Sequence, residues 1–206
     1  MDYKAINDFN LPIELMMENA GLQLARLVSL RTDKTKKITI GIGKGNNGGG
    51  GLVAARRLLA WGYNVYLHIP DTNLNSLANL QFLRSKKFGT KITTKLDCDI
   101  FVDAYLGFSQ RLPLPVSINE SLQLINKTES LKISLDLPTG FDLSTGTSEF
   151  SPDIILTMAA MKTELIPLLN NTQVFIADLG IPRKIYSEFG IKYPYQFSES
   201  GILEVV

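Results

Sequence analysis

Residues 43–48 read GKGNNG and continue into further glycines, a stretch whose spacing could bind phosphate groups. The GxGxxG pattern occurs in dinucleotide-binding loops that follow a strand and open a helix. A backbone almost without side chains lets a ligand approach closely, and a helix opening at about Leu52 would direct free N–H groups at an anion. Asn46 and Asn47 add amides that can contact a ligand or coordinate a cation. The pattern by itself is weak, so a merely flexible turn remains an alternative.

Aspartates at the ends of apolar runs form a second group of candidate functional residues. Asp71, Asp103 and Asp136 each lie near the end of a run that has the length and composition of a strand. In open α/β sheets, ligands bind at the carboxyl ends of the strands. We therefore expect aspartates and glycines to collect at one edge of a sheet, although Asp71, in IPDTN, can equally be a turn residue.

The elements that must position these residues alternate between short apolar runs and longer amphipathic segments. This alternation predicts a parallel sheet with helices on both faces, a doubly wound α/β domain. No repeat or linker divides the chain, so we expect one domain over residues 1–206. The predicted helices are 12–30, 52–62 and 76–87, and the predicted strands are 38–42, 63–70, 99–107, 131–138, 153–158 and 172–180.

Composition argues against several functional classes. The formal charge is +1, which gives no global attraction to nucleic acid or to an acidic membrane. The single cysteine, Cys98, excludes an internal disulfide, and its aspartate neighbours would raise the pKa of its thiol. The single histidine, His68, lies in a predicted strand and is expected to be structural. No apolar stretch approaches the roughly 20 residues of a membrane span, and no signal peptide is evident, so we expect a cytoplasmic protein.

Several motifs together resemble the YjeF N-terminal domain family, the NAD(P)H-hydrate epimerases. They are MMENAG (16–21), GKGNNGGGGLVAARRL (43–58), VDAYLGFS (102–109) and SLDLPTGFDLSTG (134–146), followed by DIILTMAAMK (153–162) and FIADLGIP (175–182). The resemblance covers nearly the whole chain. It implies a Rossmann-like three-layer α/β/α fold with a mostly parallel central sheet, and a homodimer. It also implies an isomerase that interconverts the R and S forms of hydrated NADH and NADPH, NAD(P)HX, for a separate dehydratase.

The same resemblance implies the site residues. A potassium ion would be held by Asn47, Asp103 and Thr139. Epimerising a carbinolamine centre requires a proton to be delivered to, or removed from, the C6 hydroxyl, and one carboxyl group can serve in both directions. Asp136 is our candidate for that group, although it could instead only order the turn LPTG. The residues expected to line the substrate pocket are Asn46, Asn47, Gly48, Gly49, Gly50, Gly107, Phe108, Ser109, Gln110, Arg111, Leu112, Pro113 and Asp136.

Two positions depart from the family pattern. Gly50 stands where the family's GNNGGDG has an aspartate, and Arg111 stands where a lysine or a small residue is expected. If the missing aspartate only caps the helix, its loss costs a few tenths of a kcal/mol. If it contacts the substrate, activity falls by orders of magnitude, which leaves open a non-catalytic nucleotide-binding or dimerisation module. A dehydrogenase is less favoured, because there is no separate substrate domain. The helix carrying MMENAG is a candidate dimer surface.

Overall fold

The computed structural model describes residues 1–194 and 197–205, in which strands and helices alternate as the sequence predicts. In chain order the elements are α1 (Asp2–Phe9), α2 (Ile13–Ser29), β1 (Lys37–Ile42), α3 (Asn46–Ala60), β2 (Asn64–His68), α4 (Ser76–Lys87), β3 (Lys91–Ile92), β4 (Ile100–Ala104), α5 (Val116–Ile125), β5 (Leu131–Leu135), β6 (Ile154–Met158), a 3-10 helix (Thr163–Leu168), β7 (Gln173–Ala177), α6 (Arg183–Glu188), α7 (Phe197–Ser200) and β8 (Ile202–Glu204).

These strands form one eight-stranded sheet in the order β3-β2-β1-β4-β5-β6-β7-β8. All neighbouring pairs are parallel except β7 and β8, which are antiparallel. The predicted α/β fold with a mostly parallel central sheet is therefore confirmed. Among the described residues, no helix is both long and apolar enough to cross a bilayer.

Strand β4 shows why the sheet is covered on both faces. Ile100, Val102 and Ala104 pack in the cluster that contains α3, whereas Phe101 and Tyr105 pack in the cluster that contains α5. Successive side chains of a strand point to opposite faces, so an uninterrupted apolar run fits a strand that is buried on both sides.

The glycine-rich stretch is the first part of helix α3 rather than a loop. The helix begins at Asn46, with Gly45 as its N-cap, so the prediction of a start near Leu52 was wrong. Glycine is a poor helix former, and propensity therefore concealed this turn. Close packing accounts for the glycines, because a Cβ on Gly48 would lie 1.9 Å from the carbonyl oxygen of Gly43.

Several short elements were not predicted. Helix α5 carries a usable signal, since Ile118, Leu122 and Ile125 are buried at helical spacing on one face. Strand β3 consists of two exposed residues, and β8 is a short antiparallel edge strand, so neither has a clear pattern. Helix α1 buries only Ala5, which leaves it without an apolar periodicity.

The MMENAG segment of α2 packs inside the chain. Met16, Met17 and Ala20 are buried, and a Cβ on Gly49 of α3 would lie 2.6 Å from the terminal methyl carbon of Met17. These side chains are buried within the chain itself, whereas Leu15 of the same helix is exposed. The helix as a dimer surface stays a prediction.

Candidate active site

The carboxyl ends of β1, β4 and β5 meet at one edge of the sheet, where the N-terminus of α3 joins two turns. The amide nitrogen of Asn47, in the first turn of α3, donates to the carbonyl oxygen of Leu106 at 2.9 Å and to that of Leu135 at 3.2 Å. One side chain thus fixes the helix start, the turn after β4 and the end of β5 relative to one another.

Asp136, the predicted proton-transfer residue, lies directly after β5 at this edge. Its φ of 76° places it in the left-handed region, which is uncommon for a residue with a side chain. Its carboxylate oxygen Oδ2 accepts a hydrogen bond from the backbone N–H of Phe108 at 2.7 Å, and its own N–H donates to the carbonyl oxygen of Leu156 at 2.8 Å. Such strained residues cluster at functional sites, where the surrounding structure holds them in place.

Lys162 was not among the predicted site residues, yet it reaches the same carboxylate. Its ammonium nitrogen lies 2.7 Å from Oδ1 of Asp136 and donates to the hydroxyl oxygen of Thr157 at 2.8 Å. The contact with Asp136 is an ion pair without hydrogen-bond geometry, so Oδ1 has no hydrogen-bond partner among the described residues. Lys162 and Asp136 come from loops after different strands, and no local sequence pattern shows that they meet.

The turn after β4 is built to approach Asp136. A Cβ on Gly107 would lie 2.8 Å from Oδ2 of Asp136 and 3.2 Å from the side-chain carbon Cγ of Asn47, so only glycine allows this spacing without a shift. Gln110 holds the loop in place, because its amide nitrogen donates to the carbonyl oxygen of Pro138 and its amide oxygen accepts from the N–H of Gly140. The remaining predicted residues of this loop are exposed: Phe108, Ser109, Arg111, Leu112 and Pro113.

Asp103 is fully buried beneath the same turns. Its carboxylate accepts hydrogen bonds from the N–H and the hydroxyl of Thr139, from the hydroxyl of Ser134 and from the N–H of Tyr105. Burial raises the pKa of Asp103 to about 6, and the hydrogen bonds from Thr139 oppose that rise. These bonds tie the end of β4 to the turn that follows Asp136.

Asn47, Asp103 and Thr139 supply oxygens that fit a potassium ion. The side-chain oxygen Oδ1 of Asn47 is buried without a hydrogen-bond partner among the described residues, which is the expected state of a ligand oxygen. The set combines one carboxylate with a hydroxyl and an amide, the donors preferred by hard cations. In the described part of the chain, no group of three or more histidine, cysteine or carboxylate side chains could hold a metal ion.

The predicted residues of α3 differ in where they face. Asn46 is exposed, and its side-chain oxygen accepts from the amide nitrogen of Asn75 at 3.1 Å. Gly49 and Gly50 are buried, and a Cβ on Gly50 would lie 3.1 Å from a methyl carbon of Leu135. Gly50 lies inside the helix, so the hypothesis that this position is the N-cap was wrong. No side chain caps the N-terminus of α3, so its first N–H groups are available to an anion.

Other candidates from the sequence have structural roles. Asp71 accepts a hydrogen bond from the N–H of Asn73, as a turn residue does. The ring of His68 contacts the hydroxyl of Tyr105 through Nδ1 at 2.6 Å, and burial lowers the pKa of His68. Burial raises the pKa of the Cys98 thiol, and this residue lines a cavity of about 580 Å³ at the amino ends of the strands, away from the site described above.

Comparisons with known proteins identify the family and the fold. The family described as YjeF-related protein N-terminus matches residues 13–164. The NAD(P)H-hydrate epimerase of Anopheles gambiae is 29% identical over 210 residues, covering 94% of this chain and 90% of the relative. That of Dehalogenimonas lykanthroporepellens is 30% identical over 204 residues, covering 93% and 83%.

Two further matches concern a larger relative and a solved structure. The bifunctional NAD(P)H-hydrate repair enzyme Nnr of Archaeoglobus fulgidus is 34% identical over 180 residues, which cover 84% of this chain and 38% of that protein. The crystal structure of yeast ynu0 shares the fold, with a TM-score of 0.89 at 23% identity and coverage of 99% of this chain and 95% of the yeast chain. Since the family match spans most of the chain, this protein belongs to the YjeF N-terminal family.

Proposed function

We propose that the chain is an epimerase that interconverts the R and S forms of hydrated NADH and NADPH. The observation that carries this proposal is the carboxylate of Asp136, held in a left-handed backbone at the edge where the N-terminus of α3 and the turn at Gly107 converge. The relatives named NAD(P)H-hydrate epimerase support the choice of substrate. A nucleotide with an anionic pyrophosphate and a reactive ring also fits a helix N-terminus beside a proton-transfer group.

Asp136 can invert the configuration of the carbinolamine carbon C6 by either of two routes. In the first, its carboxylic acid protonates the C6 hydroxyl, the C6–O bond breaks as the ring nitrogen donates its electron pair, and water leaves. Water then adds to the opposite face and returns the proton to Asp136. In the second, the carboxylate removes the hydroxyl proton and the C6–N bond breaks to give an aldehyde. The ring then closes on the other face of the aldehyde, and Asp136 returns the proton.

The surrounding residues would bind and orient the nucleotide. The uncapped N–H groups at the start of α3 suit a phosphate, and Arg111 on the exposed loop adds a positive charge near the same edge. The ring of Phe108 is 52% exposed while its backbone N–H holds Asp136, so a base or nicotinamide ring stacked on it would lie close to the carboxylate.

We propose a potassium ion as the cofactor, held by Asn47, Asp103 and Thr139. Bound there, it would supply positive charge beside the substrate's polar groups and fix the turn after β5. The unpartnered oxygen of Asn47 supports this assignment. Thermal unfolding in potassium chloride and in choline chloride at equal ionic strength tests it. Potassium should raise Tm for the wild type and not for Asn47→Ala; equal Tm values in the two salts would contradict the assignment.

Three further properties are proposals. The family resemblance supports a homodimer, which sedimentation analysis at several protein concentrations can test. The name of the bifunctional Archaeoglobus relative supports a dehydratase as pathway partner. The single, half-buried Cys98 supports a reducing compartment such as the cytoplasm, which fractionation of cells can test.

A non-catalytic module is the less favoured alternative. It rested on the loss of an aspartate at position 50, but a Cβ at Gly50 would lie 3.1 Å from a methyl carbon of the buried Leu135. The relatives that cover this chain almost completely are named epimerases.

The deciding assay follows the R form of hydrated NADH in the presence of a dehydratase that consumes only the S form. With the purified chain present, we expect the R form to disappear well above its spontaneous rate. Consumption of the R form at the spontaneous rate would refute the proposed function.

A further inference from the structure

We propose that Lys162 is a positioning residue for the reaction, and that its ammonium group keeps the carboxylate of Asp136 charged and fixed so that Asp136 enters the reaction as a base. This inference rests on the proposed function, since it assigns a role to a residue that acts through Asp136. It also selects one of the two routes described above.

The contacts of Lys162 leave its ammonium group little freedom. It lies 2.7 Å from Oδ1 of Asp136 and donates to the hydroxyl of the fully buried Thr157 at 2.8 Å. The Lys162 side chain is 18% exposed and that of Asp136 is 11% exposed. An opposite charge at this distance favours the charged form of a carboxyl group, and partial burial reduces the screening by solvent.

Backbone strain on both sides of the ion pair indicates that the contact is built into the fold. Among the described residues, only Asn10, Asp136 and Ala159 have a positive φ without being glycine. Asn10 ends helix α1, where such a conformation is ordinary. Asp136 and Ala159, with φ values of 76° and 64°, directly follow the neighbouring strands β5 and β6, and Lys162 lies in the segment that Ala159 begins.

The strain at Ala159 is held by its surroundings. Its N–H donates to the carbonyl oxygen of Ala177 at 2.9 Å, and its carbonyl oxygen accepts from the hydroxyl of Tyr186 at 3.1 Å. The methyl side chain of alanine cannot form a hydrogen bond that would stabilise a positive φ, so the surrounding structure must hold this conformation. That turn brings Lys162 back over the end of the sheet toward Asp136.

No other charged group of the described chain forms an ion pair with Asp136. The elements around it carry Asp103 on β4, Arg111 on the loop after β4 and Lys44 before α3. Asp103 is buried and directs its carboxylate to Thr139, while Arg111 and Lys44 are exposed. Lys162 is therefore the charge that acts most directly on the Asp136 carboxylate.

A charged Asp136 begins the cycle by accepting a proton. It takes the proton of the C6 hydroxyl, the C6–N bond breaks, and its electron pair moves to the ring nitrogen, which is conjugated with the carboxamide. The resulting aldehyde presents its other face, the nitrogen attacks it, and the carboxylic acid returns the proton to the new hydroxyl oxygen. Lys162 stays protonated throughout, and no oxidant, reductant or additional reactant is needed.

The test compares Lys162→Met and Lys162→Arg with the wild type over pH 6 to 8.5, after subtraction of the spontaneous rate. Lys36→Met is the matched control, because Lys36 forms an ion pair with Asp99, with the two charged atoms 3.1 Å apart, and this pair lies away from the site. We expect Lys162→Met to lower kcat/KM, with a loss about three- to tenfold larger at pH 6 than at pH 8.5, because the uncompensated carboxylate retains its proton more readily. Lys162→Arg should restore part of the kcat/KM that Lys162→Met loses at pH 6. Lys36→Met should have the same kcat/KM as the wild type over this pH range.

A second readout does not depend on activity. The carboxyl carbon resonance of Asp136, assigned by comparison with Asp136→Asn, should titrate at higher pH in Lys162→Met than in the wild type. If Lys162→Met fails to fold, Thr157→Val, which removes the hydroxyl that holds Lys162, should shift the titration in the same direction by less. An unchanged titration and an unchanged pH profile would overturn the role of Lys162. A wild type without epimerase activity whose Asp136 titration still responds to Lys162 would refute the proposed function and support the ion-pair role.

Discussion

The substitution Gly43→Ala tests the close backbone packing beneath the site. A Cβ on Gly43 would lie 1.7 Å from the carbonyl oxygen of Tyr105, whereas ordinary contact begins at 3.4 Å. The backbone at residue 43 and the carbonyl group of Tyr105 must therefore move apart until the new Cβ and that oxygen are about twice as far apart. The N–H of Gly43 donates to the carbonyl oxygen of Ala104 at 3.2 Å, and such a separation breaks this bond.

The size of the loss follows from these two effects. Forcing an extra methyl group into a packed interior costs about 1–3 kcal/mol. A buried donor left without its acceptor costs about 1–3 kcal/mol more. We expect Gly43→Ala to lower the free energy of unfolding by about 3 kcal/mol or more, which for a chain of this size lowers Tm by roughly 6–12 °C.

Gly45→Ala is the matched control, two residues away in the same motif. A Cβ on Gly45 has no atom within 4 Å, and its φ of −97° suits any residue. Its loss of N-cap preference and its gain from a less flexible unfolded chain are each below about 1 kcal/mol and oppose one another. Urea unfolding followed by fluorescence of the single tryptophan, Trp61, measures both variants. Values for Gly43→Ala and Gly45→Ala within about 0.5 kcal/mol of each other would refute the packing explanation.

Three further substitutions address the site. Asp136→Asn should lower kcat at least about 100-fold while Tm stays within a few degrees, because the amide keeps the acceptor for the Phe108 N–H but cannot transfer the proton; a rate within threefold of wild type excludes Asp136 from proton transfer. Because the pKa of Asp103 is raised in the folded state, its contribution to stability falls as pH rises from about 4 to 6. Asp103→Asn should remove that trend, so wild type should lose about 1–3 kcal/mol relative to the variant between pH 4 and 7 in urea unfolding, and parallel curves contradict the raised pKa. Gly50→Asp should leave kcat within about threefold, because position 50 faces Leu135; a tenfold gain would show that the missing carboxylate limits turnover.

The sequence was sufficient to predict the sheet because its strands are buried on both faces. Runs such as ITIGI and DIFVDAYLG have the continuous apolar character of parallel strands, and the structure has β1 over the first run and β4 within the second. Propensity failed where tertiary packing decides the structure. The glycine turn of α3 is helical because its missing side chains admit neighbouring backbone and Met17, and no periodicity in the sequence could show that contact.

The site could be predicted only in part, for a similar reason. Strand ends identify Asp136 and Asp103, since all parallel strands present their carboxyl ends at one edge. Lys162 was missed because its contact with Asp136 depends on the turn at Ala159, which is a backbone conformation that the sequence does not reveal. The sequence also did not show that position 50 lies inside α3 and not at its N-cap, because the start of α3 could not be predicted.

The burial of Asp103 lowers the stability of the folded chain at neutral pH, but its carboxylate orders the turn at the site. A rise in its pKa from 3.8 to about 6 corresponds to about 3 kcal/mol that the folded state lacks at neutral pH. An apolar residue at the same position would avoid this cost, yet it could not hold the N–H and hydroxyl of Thr139. Those bonds fix the turn that begins at Asp136, whose left-handed backbone needs support from its surroundings. The same residue is one of the proposed potassium ligands, and a bound cation would favour the charged carboxylate and offset part of the cost. The proposed potassium ion should therefore make the folded state more stable, which the comparison of Tm in the two salts measures.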